Sequence, residues 1–161
     1  MKLSQKLIDK INEQINFEQE SAYIYLSIVY ELESRGFTGF GRWMRAQHKE
    51  ELGHAQQMAG YLLRRGVRPM QQAIAEVPNK WGTVLEIFQA AYEHEQEVTK
   101  RIEALVKLAI SENDYSAEDF FRHFVDEQVE EEETFSGIVD RLKMAGEAGL
   151  LMADHALGKR E

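Results

Sequence analysis

The sequence predicts an all-α fold, a four-helix bundle with a short fifth helix, in one domain over residues 1–161. Three observations carry this. Four long segments place apolar residues at alternating steps of three and four, the spacing that turns one helix face toward a core. Turn-forming residues separate them. The only two prolines, Pro69 and Pro78, share one stretch that lacks any period, so no proline interrupts the four segments.

The first stripe reads Ile8, Ile11, Ile15, Glu18, Ala22, Tyr25, Val29, Leu32 and predicts a helix over about residues 4–33. Ser34-Arg35-Gly36 closes it. The second stripe, Phe40, Met44, Gln47, Glu51, His54, Met58, Tyr61, predicts a helix over about 37–65. The third, Val84, Phe88, Ala91, Glu95, Val98, Ile102, Leu105, Ala109, predicts one over about 81–111. Asn113-Asp114-Tyr115-Ser116 leads into the fourth, over about 116–145, with the stripe Phe121, Phe124, Gln128, Glu131, Phe135, Ile138, Leu142, Ala145.

The two short links make antiparallel neighbours. The crossover, about residues 66–80, contains both prolines. Extended, it reaches roughly 50 Å, more than the roughly 42 Å of a helix of about 28 residues. It can therefore run the length of the bundle and leave the second and third helices parallel. Beyond Gly146 and Gly149, the segment Leu150–Leu157 suits a fifth helix over about 148–157.

Composition narrows the function. The chain is 43% hydrophobic and 29% charged, the mixture of a globular protein. The absence of cysteine excludes disulfides, cysteine-ligated zinc and iron–sulfur clusters. A net charge of −9 repels nucleic acid and attracts cations. The opening residues lack the apolar core of a signal peptide and no apolar run approaches a membrane span. The chain reads as cytoplasmic, with neither nucleic acid nor membrane as a partner.

Each stripe is broken near its middle by a carboxylate: Glu18, Glu51, Glu95 and Glu131. A helix midpoint keeps its height whichever way the helix runs, so four such groups converge on one level. His54 follows Glu51 by three residues, and Gln128 precedes Glu131 by three, on the same inward faces. One Glu on an apolar stripe is ordinarily the stripe's edge; four at one level are a different matter. Unpaired buried carboxylates cost several kcal/mol each, and no Lys or Arg lies on these stripes at that height. Two divalent cations would balance four negative charges, and carboxylates with one imidazole suit iron(II) or manganese(II). In ferritin-like di-iron bundles two helices supply one Glu each and two supply Glu-x-x-His. Glu51-Leu52-Gly53-His54 is one such motif, whereas Thr134 stands where the fourth helix would carry its His.

The segments Asn16-Phe17-Glu18 with Tyr25, Glu50-Glu51-Leu52-Gly53-His54, Tyr92-Glu93-His94-Glu95-Gln96 and Glu127-Gln128-Val129-Glu130-Glu131-Glu132 resemble the metal-site segments of prokaryotic non-haem ferritins, in order and spacing. The resemblance implies a ferritin-like bundle and a ferroxidase. Glu18, Glu51 and His54 would bind a first iron, with Glu51 bridging to a second held by Glu95 and Glu131, and Gln128 beside the pair. Glu50, Glu127 and Glu130 would form an accessory third site, and Tyr25 would have a redox role. Glu127 and Glu130 also lie about 40° and about 100° from Glu131 around the helix, toward one flank. His48, His94, His123 and His155 fall off the carboxylate stripes or away from their middles, and read as surface residues or residues behind the ligands.

By the same resemblance, iron(II) is oxidised by O2 or hydrogen peroxide, and ferric oxyhydroxide is stored inside a hollow cage of twenty-four copies of the chain. Bacterioferritins share the fold, but their haem-ligating Met follows the bridging Glu, where this chain has Leu52; no haem is expected. Rubrerythrin-type peroxidases need the histidine missing at Thr134 and a cysteine-ligated iron. DNA-binding mini-ferritins place their metal between subunits. A metal-free structural bundle is the remaining alternative, and periodicity alone does not separate it.

Overall fold

A computed structural model describes residues 2–160. Four long helices, α1 (Gln5–Ser34), α2 (Thr38–Arg64), α3 (Val84–Ser111) and α4 (Tyr115–Ala145), are followed by a 3-10 turn (Glu147–Gly149) and a short helix α5 (Leu150–Leu157). No strand occurs among the described residues.

Local chemistry sets the helix ends. The Ser4 hydroxyl accepts from Leu7 N at 3.1 Å and so caps α1. The Asp114 carboxylate accepts from Ala117 N at 3.0 Å, which starts α4. Gly36 and Gly66 take positive φ (86° and 75°) just past α1 and α2. There the chain reverses while Phe37 N and Val67 N return to Leu32 O and Leu62 O, both at 2.9 Å. Asn113, at φ 56°, makes the same turn after α3.

The third helix begins at Val84, three residues later than the stripe suggested. Thr83 is extended (φ −68°, ψ 164°) and its hydroxyl accepts from Glu86 N. The carbonyls of Trp81 and Gly82 accept from the Arg35 guanidinium at 2.8 and 2.5 Å, and the Trp81 indole donates to Ser27 at 3.1 Å. These residues belong to the crossover because their polar groups are bound to α1. The crossover meets α1 successively at Asn12, which accepts from Met70 N at 2.8 Å, and at Ser27, which donates to Pro78 O at 2.5 Å. It thus climbs along α1, and α3 starts beside the end of α1 and runs parallel to α2.

Helix α1 packs mainly on α2 and α3 on α4, with α1 also touching α3. The apolar side chains form two separate clusters. One contains Leu7, Ile11, Met58, Leu62, Ile102, Leu105 and Phe121; the other contains Ile28, Leu32, Phe40, Met44, Phe88, Phe135 and Ile138. Each such side chain contributes roughly 1.5–3 kcal/mol by leaving water. The level between the clusters, near the middle of all four helices, is polar. No helix among the described residues is long and apolar enough to cross a membrane.

Candidate metal centre

Glu18 of α1, Glu51 and His54 of α2, Glu95 of α3 and Gln128 of α4 are all buried, between 0% and 6% exposed. Three of them meet directly. His54 Nδ1 lies 3.7 Å from Glu18 Oε2 and 3.5 Å from Glu51 Oε2. One ligand atom from each lies within 4.8 Å of the others. Glu18 Oε2 and Glu51 Oε2 are buried with no hydrogen-bond donor. Buried polar atoms are ordinarily satisfied, so two orphaned carboxylate oxygens beside an imidazole describe a place for a cation.

The remaining oxygens are held by amides and a phenol. Gln14 Nε2 donates to Glu18 Oε1 at 2.8 Å. Gln47 Nε2 donates to Glu51 Oε1 at 3.3 Å and to Glu131 Oε2 at 2.9 Å, joining α2 to α4. Gln128 Nε2 donates to Glu95 Oε2 at 3.0 Å, and the Tyr25 hydroxyl donates to Glu95 Oε1. Glu131 is only half-buried, toward the edge of the layer. Glu18, Glu51 and Glu131 thus each have one oxygen engaged by an amide, which orients the carboxylate for a ligand on its other oxygen, whereas both oxygens of Glu95 are engaged.

The flanking acids divide. Glu127 Oε2 lies 3.2 Å from His54 Nε2, while its other oxygen lies 3.1 Å from His123, whose side chain is 61% exposed. Glu50 is exposed and turns to Arg160. Glu130 is exposed, and among the described residues no hydrogen bond or ion pair ties it to the cluster. His94 stacks on Phe17 at 5.2 Å, with its Nε2 2.6 Å from Ser21 Oγ. His48 turns to Ala22 O at 2.7 Å. Both sit behind the carboxylates rather than among them.

Burial and mutual repulsion set the protonation. Burial alone would raise Glu18, but His54, the Glu51 carboxyl and Gln14 outweigh it and hold Glu18 below its usual value. Burial and the Glu18 charge push Glu51 well up. The two carboxylates are thus shifted in opposite directions, as close like charges are. Burial and the Glu131 charge push Glu95 up to about 7. Burial would lower His54, but Glu127, Glu18 and Glu51 together hold it well above its usual value. Glu51, Glu95 and His54 are thus all shifted toward their protonated forms, whose charge a bound cation would supply instead.

The residues behind the ligands were not all visible from spacing. Gln47 stands on the second stripe, one turn before Glu51, but nothing local marks its amide as the bridge to Glu131. Gln14 precedes Glu18 by four residues and lies outside the stripe.

Residues 8–145 match the family described as "Ferritin-like domain". The chain is 48% identical over 158 residues to a protein of Bacteroides fragilis named "Bacterial non-heme ferritin", covering 98% of this chain and 99% of the relative. A protein of the same name from Campylobacter jejuni is 36% identical over 154 residues, covering 94% and 92%. Among solved structures, one described as an open pore ferritin from the hyperthermophilic archaeon Archaeoglobus fulgidus superposes with a TM-score of 0.97 at 42% identity, covering 99% of both chains.

Proposed function

The chain belongs to the ferritin family, and from that premise we propose that it takes up iron(II) at the Glu18–Glu51–His54 cluster, oxidises it and stores it as a ferric mineral. The observation that carries this reading is the pair of orphaned, buried oxygens, Glu18 Oε2 and Glu51 Oε2, aimed at the same space as His54 Nδ1.

In this reading Glu51 bridges two iron(II) ions, Glu18 and His54 hold one of them, and Glu95 and Glu131 hold the other beside Gln128. Each ion replaces protons. His54 must lose its proton to offer Nδ1. Glu127 lies beside its other nitrogen, Nε2, and holds the N–H there, which fixes the tautomer that leaves Nδ1 free for the metal. O2 or peroxide accepts the electrons, and carboxylates fixed by Gln14, Gln47 and Gln128 favour the higher charge of iron(III). Burial and the Glu95 charge hold the Tyr25 phenol protonated, hydrogen-bonded to Glu95 and beside the second ion, where it can supply an electron. Glu50, Glu127 and Glu130 would make the accessory third iron site that the family resemblance implies.

Storage requires a container built from copies of the chain. The apolar Leu151 and Met152 of α5 are 75% and 81% exposed, surface that association would cover. A hollow twenty-four-subunit cage in the cytoplasm, without haem, is the assembly we propose.

Glu51→Ala removes the bridge and is expected to slow initial iron(II) oxidation at least about tenfold, equivalent to roughly 1.4 kcal/mol. Stopped-flow absorbance after mixing the anaerobic iron(II) protein with O2 measures it. Unchanged initial rates would overturn the dinuclear reading, and negative-stain images without hollow particles after aerobic iron loading would overturn storage.

A further inference from the structure

The residue Arg160, past the end of α5, reaches back to the rim of the carboxylate layer. Its Nη2 pairs with Glu50 Oε2 at 2.6 Å. Its Nη1 donates to Trp43 O at 3.2 Å and to Gln47 Oε1 at 3.1 Å. The guanidinium lies 4.4 Å from the centre of the Trp43 ring, a cation–π contact. Four separate contacts hold one side chain that is only 24% exposed.

The backbone that delivers it is equally fixed. Phe37, at the N-cap position of α2, makes no capping hydrogen bond through its side chain. Asp154 of α5 supplies the missing acceptor, bonding Phe40 N at 2.7 Å. A Cβ on Gly39 would run into the Asp154 carbonyl, so α5 docks only because that position is glycine.

Gln47 links this tail to the layer. Its oxygen faces Arg160, which leaves its amide nitrogen to donate to Glu51 and Glu131. The guanidinium thus fixes the orientation of the amide and places a positive charge against Glu50, beside an acidic layer.

We propose that Arg160 is a built-in counter-cation for this edge of the layer, occupying Glu50 until a metal ion displaces it. The inference rests on reading the layer as a metal centre. A fixed guanidinium and a divalent ion compete for the same carboxylate, so Arg160 acts as a positioning residue that sets how readily the outer flank accepts metal. It touches none of Glu18, Glu51 and His54 and reaches Glu51 only through the Gln47 amide, whose orientation a neutral donor in its place would preserve. The pair is partly exposed, so the competition is modest.

Zinc(II), a redox-inert probe, titrated by calorimetry into the metal-stripped full assembly, tests this. The outer class of zinc is the one that Glu50→Gln weakens. Arg160→Gln keeps a stem and a donor for Gln47 but removes the charge. It is expected to tighten the outer class by about threefold and to leave the inner class unchanged. The gain is expected to shrink at high salt and to vanish when Glu50→Gln is also present. Arg160→Lys, which keeps the charge, is expected to stay near wild type. An outer class unchanged or weakened in Arg160→Gln, or a gain that persists without Glu50, would overturn the inference alone. Failure of the wild-type assembly to bind any zinc would overturn the metal-centre reading and this inference with it.

Discussion

Replacing Glu95 with glutamine in the metal-free protein isolates what the carboxylate layer costs the fold. Glu95 is fully buried and its pKa is pushed up to about 7 from an ordinary 4.5. The folded state therefore holds this proton more tightly than the unfolded chain does. Its contribution is intact below the unfolded value of 4.5 and is lost as pH rises through about 7. The gap of about 2.5 units, at about 1.36 kcal/mol per unit, amounts to about 3 kcal/mol of lost stability above neutrality. Glutamine keeps the shape. Its oxygen can accept from Gln128, and its amide can face the Tyr25 oxygen once that hydroxyl turns away; the cost of turning it is the same at every pH, so it does not enter the pH dependence. It cannot ionise.

Glu95→Gln should therefore stabilise the stripped protein by about 3 kcal/mol near pH 8 and by less than about 1 kcal/mol near pH 5. For a chain of this length 1 kcal/mol moves Tm by roughly 2–4 °C, so the shift near pH 8 is roughly 6–12 °C. Thermal melts followed by far-ultraviolet circular dichroism, with chelator present and subunit concentration fixed, measure both. Glu51 is raised in the same sense and Glu18 is held down in the opposite one. The difference between variant and wild type is therefore the informative quantity, not the wild-type profile. An equal difference at both pH values would refute the argument that desolvation controls this carboxyl. Loss of stability at both would show that the Tyr25 and Gln128 contacts outweigh the charge.

Two further outcomes are expected. Because His54 and Glu51 are both shifted toward their protonated forms, zinc binding near neutral pH should release protons, and affinity should fall as pH falls; calorimetry in buffers of different ionisation enthalpy would detect this, and no proton release would contradict those shifts. Haem should not bind between subunits at the Leu52 position, since Leu52 has no lone pair to offer and Met44 and Met58 are completely buried; a stoichiometric bis-methionine Soret band in the purified protein would be incompatible with this.

The parts of the site that could be read from the sequence are those governed by a repeat inside one helix. Glu18, Glu51 and Glu95 interrupt stripes of known period, so their faces and heights follow from counting, and His54 follows from Glu51 by the same arithmetic. Turn chemistry marked the ends of α1 and α3 in the same local way. What escaped is what depends on contacts distant along the chain. Trp81 looked like the start of α3 until the Arg35 guanidinium and Ser27 claimed it for the crossover. Gln47 and Gln14 look like ordinary polar positions because an amide's partners are not encoded by spacing. Arg160 stands 113 residues from the Gln47 it holds, and only the docking of α5 through Asp154 and Gly39 brings it there. The lack of any Lys or Arg on the stripes at the height of the carboxylates was correctly read, yet a cation still arrives at their edge from outside the bundle's period. The division also has a physical consequence. Two apolar clusters, one on each side of the layer, carry the fold, so the layer between them is free to be polar and poorly satisfied when empty. Substitutions such as Phe135→Ala or Phe121→Ala should cost about 3–5 kcal/mol whether or not metal is present. Those at Glu18, Glu51 or Glu95 should change stability mainly through protons and metal, because their contribution to the fold is the electrostatic cost of holding a site open.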